Sequence, residues 1–142
     1  MSNVLIIVEQ SEGAPKSASL AGITFGQHLS AKNGGELHLA VIGSGVAGVA
    51  EAVKGYGAAK VHVIDNPCFE NYLAESYTEA VLAAASAANA TFIAAGTTST
   101  SKDMLPRVAS KWDAAMASDV LEVVFGADVV HETLTVPGKT LR

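Results

Sequence analysis

The chain has 142 residues, 49% of them hydrophobic, 16% charged and only 6% aromatic, a balance that suits one domain with a buried core and excludes a disordered chain. A formal net charge of -5 with no Lys/Arg cluster excludes nucleic acid as a natural partner, and one cysteine, Cys68, excludes an internal disulfide and fits a reducing compartment. With no basic leader, no cleavage site and no apolar stretch of about 18 residues, the expectation is a soluble, cytoplasmic bacterial protein without membrane insertion.

The first predicted element is a strand over Val4-Leu5-Ile6-Ile7-Val8, a continuous apolar run of the kind covered on both faces. Ala18, Ala21, Phe25 and Leu29 then recur at helical spacing, and Asn33-Gly34-Gly35 ends that helix. A second strand is predicted over Leu37–Ile42. Val46, Val49, Ala50 and Val53 follow at i, i+3, i+4, i+7, with Gly55 and Gly57 closing the turn. A third strand over Val61–Ile64 stops at Asp65-Asn66-Pro67. A long helix is predicted from about Phe69 to Ala88, with Phe69, Leu73, Ala80 and Ala84 along one side. Thr91–Ala95 reads as a fourth strand, and Leu105, Val108, Ala109 and Trp112 mark a fourth helix. Val120–Phe125 and Val129–Val136 read as two strands joined through Gly126-Ala127-Asp128, and a further strand opens within residues 137–142.

Four βα units in succession predict an α/β fold: a three-layer sandwich around a central, mainly parallel sheet, Rossmann-like and adenine nucleotide alpha hydrolase-like. The C-terminal strands are expected to be antiparallel. The chain stops where another strand begins, which predicts a piece of something longer.

Two loops carry the candidate chemistry. Gly43-Ser44-Gly45-Val46-Ala47-Gly48 is a G-x-G-x-x-G between a strand and a helix, with Asp65 about 20 residues on, the outline of a dinucleotide fingerprint. A short βα turn also wants glycines, and Asp-Asn-Pro is ordinary turn chemistry. The motif follows the second strand rather than the first, so the structural reading is preferred. The second loop is Gly96-Thr97-Thr98-Ser99-Thr100-Ser101-Lys102-Asp103, at the carboxyl end of a parallel strand, where open α/β sheets bind ligands. Gly96, Thr97, Thr98, Ser101 and Lys102 make it a candidate vestigial nucleotide loop, with hydroxyls, an ammonium and helix N–H groups for a phosphate. Against that stands a well-capped helix start. Pro106 belongs in a first turn, which makes Ser101 or Asp103 the expected N-cap.

His28, His38, His62 and His131 show no metal-ligand spacing and read as structural histidines. Cys68, behind Pro67 at a helix start, reads as an inert thiol. No G-x-S-x-G, S-x-x-K or carboxylate dyad occurs, so no catalytic residue is assigned.

Taken in order, these residues resemble the electron transfer flavoprotein alpha subunit. The likeness runs through Val4-Leu5-Ile6-Ile7-Val8-Glu9, the helix from Ser17, and Gly43-Ser44-Gly45. It continues in Ala58-Ala59-Lys60-Val61 and Tyr72-Leu73-Ala74-Glu75. Its most specific stretch runs from Gly96-Thr97-Thr98 through Lys102-Asp103-Met104-Leu105-Pro106-Arg107-Val108-Ala109, and Ala117-Ser118-Asp119-Val120 then follows. The resemblance implies that residues 1–142 are the N-terminal domain of such a subunit, with the FAD-binding C-terminal domain absent. It implies FAD in the full-length protein and none on this chain. It implies a beta subunit as partner, with acyl-CoA dehydrogenases and a quinone oxidoreductase serving the full complex, and a role as electron carrier rather than enzyme. The alternative is a universal-stress-like adenine nucleotide-binding domain, although that class's G-x-x-G is not found after the fourth strand. A truncated dinucleotide-dependent oxidoreductase ranks third.

Overall fold

A computed structural model describes residues 3–11, 13–96, 98–114, 116, 120–125, 132–136 and 139–141, the last three segments as backbone. The first strand, β1 (Asn3–Val8), has five consecutive fully buried residues. A short antiparallel pair, β2 (Gln10–Ser11) and β3 (Ala14–Pro15), leads into α1 (Ser17–Asn33). The next unit is β4 (Leu37–Gly43) and α2 (Ala47–Ala52), the third β5 (Lys60–Asp65) and α3 (Ala74–Ala88), the fourth β6 (Ala90–Ala95) and α4 (Ser99–Trp112).

These strands form one parallel sheet in the order β5-β4-β1-β6. Side chains alternate across the pleat, so each strand feeds two cores. Val4, Ile6 and Val8 join Leu37, Leu39 and Val41 under α1 and α2. Leu5, Ile7, Ala40 and Ile42 face Ala84, Ala85 and Met104 of α3 and α4 on the other side. The result is the expected three-layer sandwich. Small residues set its thickness: a Cβ on Gly26 of α1 would lie 2.6 Å from Ile6 Cγ1, so only glycine lets α1 settle this closely on β1.

The C-terminal strands β7 (Val120–Phe125), β8 (Glu132–Val136) and β9 (Lys139–Leu141) form a separate antiparallel sheet in that order. The expected Val129 start of the second of them lies outside the described residues.

Two predicted helix starts were displaced. The helix expected from Phe69 begins at Ala74, after a single 3-10 turn over Pro67–Phe69. Asn66 accepts the Cys68 N–H at 3.0 Å and Tyr77 donates to the Phe69 carbonyl at 2.9 Å, which satisfies backbone groups a longer helix would have used. Leu73 is consequently the N-cap and is 61% exposed, not part of a buried stripe. In α4, Pro106 lies inside the helix rather than in its first turn, because the start is fixed upstream by a capping box. No helix among the described residues is long and apolar enough to cross a membrane.

Candidate functional site

Between β1 and β6 the strand order reverses direction, and in such sheets ligands bind outside the carboxyl ends of the strands at that point. The loop after β6 therefore stands in the right place. Its residues, however, bind one another. The N-cap of α4 is Thr98, not Ser101 or Asp103. Its Oγ1 accepts the Ser101 N–H at 3.1 Å, and Ser101 Oγ accepts the Thr98 N–H at 2.9 Å. Ser101 Oγ in turn donates to the Gly96 carbonyl at 2.6 Å. A hydroxyl three residues into the helix replaces the Glu or Gln of the usual capping box.

Thr98 Oγ1 donates outward to Glu9, 2.7 Å from Oε2 and 3.0 Å from Oε1. Glu9 follows the apolar run of β1, and its side chain is only 11% exposed. Its backbone N–H is bound by the fully buried Ser19 Oγ at 2.7 Å, and Lys16 Nζ stands 3.7 Å from its carboxylate. A carboxylate thus stands against the N-cap side chain of α4, beside the helix end to which a ligand phosphate would be drawn.

Gly96 meets a different need from phosphate approach. A Cβ there would fall 2.3 Å from the Ala18 carbonyl oxygen, so the glycine lets the loop pack on the start of α1. Lys102 is exposed and its ammonium has no partner among the described residues. Thr97 lies outside the described residues. Of the five predicted loop residues, Gly96, Thr98 and Ser101 are joined into one closed network, and Lys102 stands apart from it.

The Gly43–Gly48 turn is closed in the same way. Asp65 Oδ1 accepts the Gly45 N–H at 2.8 Å and Oδ2 the Val46 N–H at 3.1 Å. The acid that would reach a ribose instead holds the amides that would reach a pyrophosphate. Gly45 has a φ of 67°, the left-handed region that favours glycine. Gly43 has no positive φ; a Cβ on it would lie 2.6 Å from Val46 Cγ1. At both loops, backbone and side-chain groups that a dinucleotide would need are hydrogen-bonded to one another among the described residues.

Beside the first network lies an aromatic cluster. Phe69 and Tyr72 each meet Tyr77 edge-on, with ring centroids 5.3 and 5.1 Å apart. Tyr72 Oη donates to Asp103 Oδ2 at 2.7 Å. Burial and then the Asp103 hydrogen bond push the Tyr72 phenol up to about 12. Cys68 is exposed and free, and its neighbourhood includes no group of metal-ligating side chains among the described residues.

His28 is exposed, and His131 lies outside the described residues. The other two histidines, read as separate structural residues, are in contact: His38 Nδ1 is 2.9 Å from His62 Nε2. Sequence reasoning also missed Glu9 and its role. The available signal was an acid placed directly after five apolar residues, at the ligand end of the central strand. The histidine pair left only a weaker trace, a polar residue in each of two apolar strands, because their register is invisible in sequence.

The family model described as "Electron transfer flavoprotein domain" matches residues 4–140. The chain is 35% identical over 122 residues to the electron transfer flavoprotein subunit alpha of Pseudomonas aeruginosa, covering 85% of this chain and 38% of that protein. Against the Bacillus subtilis alpha subunit it is 27% identical over 140 residues, 98% of this chain and 42% of that one. A probable mitochondrial alpha subunit of Caenorhabditis elegans is 33% identical over 135 residues, 94% and 39% of the two chains. The chain therefore spans about two fifths of the length of these relatives.

Proposed function

The chain belongs to the electron transfer flavoprotein family, and we propose from that premise that it is the N-terminal scaffold and subunit-contact domain of an alpha subunit. In this reading a flavin, held by a second domain beyond residue 142, carries electrons from acyl-CoA and related dehydrogenases towards a quinone oxidoreductase. The chain's own residues contribute a rigid α/β body and no catalytic group, and the partner is a beta subunit of the same family. The observation that carries the scaffold role is the closed switch point: Glu9, Thr98 and Ser101 hydrogen-bond one another where a nucleotide-binding sheet of this kind presents free donors. The same feature counts against a universal-stress-like nucleotide domain, since a phosphate would meet a fixed carboxylate.

Co-purification tests the reading. The full-length protein, tagged at this domain, is expected to bring down the beta subunit and to carry flavin absorbance. Residues 1–142 alone are expected to be colourless after desalting. A full-length protein that stays alone sinks the subunit role, and flavin bands on residues 1–142 sink the assignment of the cofactor to another domain.

A further inference from the structure

Away from the switch point, a chain of three titratable groups runs from solvent into the sheet. Glu36, whose side chain is 55% exposed, lies 3.1 Å from Nε2 of His38, whose own side chain is only 5% exposed. His38 Nδ1 is 2.9 Å from His62 Nε2, and the ring planes are inclined at 18° with centroids 5.2 Å apart. His62 belongs to β5, an end strand of the four-stranded sheet. We propose that Glu36, His38 and His62 form a hydrogen-bonded chain with room for one added proton but not for a second, making the attachment of β5 to β4 sensitive to acid.

The proton count follows from donor and acceptor chemistry. An ionised Glu36 can only accept, so His38 carries hydrogen on Nε2. In the neutral pair, His38 Nδ1 then accepts from His62 Nε2–H. One added proton is accommodated with the same contact kept: the added proton enters at His62 Nδ1, the Nε2 hydrogen passes to His38 Nδ1, and His38 then donates to Glu36 on one side and to His62 Nε2 on the other. That arrangement puts the charge beside the carboxylate and leaves His62 neutral. Burial above all, then the charges of His38 and Lys60, hold His62 below the usual imidazole range. Lys60 stands opposite His38 in the strand register. Among the described residues, β1 places Leu5 opposite His38, and α3 puts Ala84, Ala85 and Ala88 on this face of the sheet and has no basic residue in its last turn. A second proton would place hydrogen on both facing nitrogens, remove the 2.9 Å bond and leave two cations side by side.

Because the folded-state pKa of His62 is lowered, the unfolded chain takes its proton first as pH falls through about 6.5, the ordinary imidazole value. The stability this group supports is full above that pH and is lost as pH falls through the folded-state value.

Imidazole nitrogen NMR over roughly pH 8 to 5 tests the site in the full-length protein, alongside Glu36→Gln, His38→Gln and His62→Gln. The pair is expected to take up one proton in a single step, with the His62 hydrogen moving from Nε2 to Nδ1 in that same step. Glu36→Gln should lower the proton affinity of that step by about tenfold, the loss of one charge-assisted contact. His62→Gln should flatten the acid loss of stability seen in denaturant titrations. His38 is buried, so a variant there that fails to fold leaves the exposed Glu36→Gln to carry the test. Two independent titrations, both unchanged by Glu36→Gln, would overturn the proposal.

Discussion

At the scale of single residues, the glycines separate two physical roles that look identical in sequence. Gly45 has open space around its missing Cβ but a φ of 67°, whereas Gly96 has no positive φ and a backbone carbonyl 2.3 Å from where a Cβ would sit. Gly45→Ala should therefore cost about 1 kcal/mol, the left-handed penalty alone. Gly96→Ala has no flexible side chain to displace and should cost about 3 kcal/mol, the upper part of the range for overpacking. Urea denaturation of both variants checks the ranking. Equal losses would show that the loop after β6 can shift away from α1. The sequence made Gly45 legible as a turn glycine because its motif is local. It gave no sign of Gly96 pressing on Ala18, a contact made by residues 78 positions apart, as the two numbers in the sequence show.

At the scale of elements, the parallel strands were readable because burial on both faces forces apolar runs, continuous in Val4–Val8 and broken only by His38 in Leu37–Ile42. Helix starts were not, since they depend on which hydroxyl wins a local competition. Pro106 suggested a late start for α4, yet Thr98 and Ser101 satisfy the first N–H groups and the helix accommodates the proline further along. Thr98→Val keeps the shape and removes both the cap and the donor to Glu9. It should cost about 2 kcal/mol, a cap of about 1 plus a charge-assisted bond left unmade, measured again by denaturation. The contact between α4 and the lead-in to α3 has its own signature. The Tyr72 phenol is raised to about 12, so above about pH 10 the unfolded chain releases its proton first. Stability should consequently fall as pH rises from 10 towards 12, and Tyr72→Phe should shrink that fall. An identical alkaline profile in the variant would mean the Asp103 hydrogen bond does not persist in solution.

At the scale of the whole molecule, the fold presents a ligand position that its own side chains fill, and this decides what a nucleotide can do there. The favourable parts are present: a strand end at the switch point, a helix N-terminus equivalent to about half a positive charge, and the exposed Lys102. Asp103, one of the two expected N-caps, does not face that end: its carboxylate accepts from Tyr72 and pairs weakly with Arg107 at 4.0 Å. Glu9 is the competitor. Being tethered and nearly buried, it faces the helix end at no association cost, whereas AMP must lose translational freedom and then meet a like charge at close range. AMP should bind more weakly than millimolar, a limit of about -4 kcal/mol. Glu9→Gln removes the charge while keeping an oxygen that Thr98 can donate to, so it should strengthen AMP binding by about tenfold. Adding Lys102→Ala to that variant should cancel the gain. Calorimetry on these three proteins and on Lys102→Ala alone separates the possibilities. Micromolar binding by the unaltered chain, lost on Lys102→Ala, would mean that Glu9 yields its place to phosphate and that the loop after β6 is a working nucleotide site.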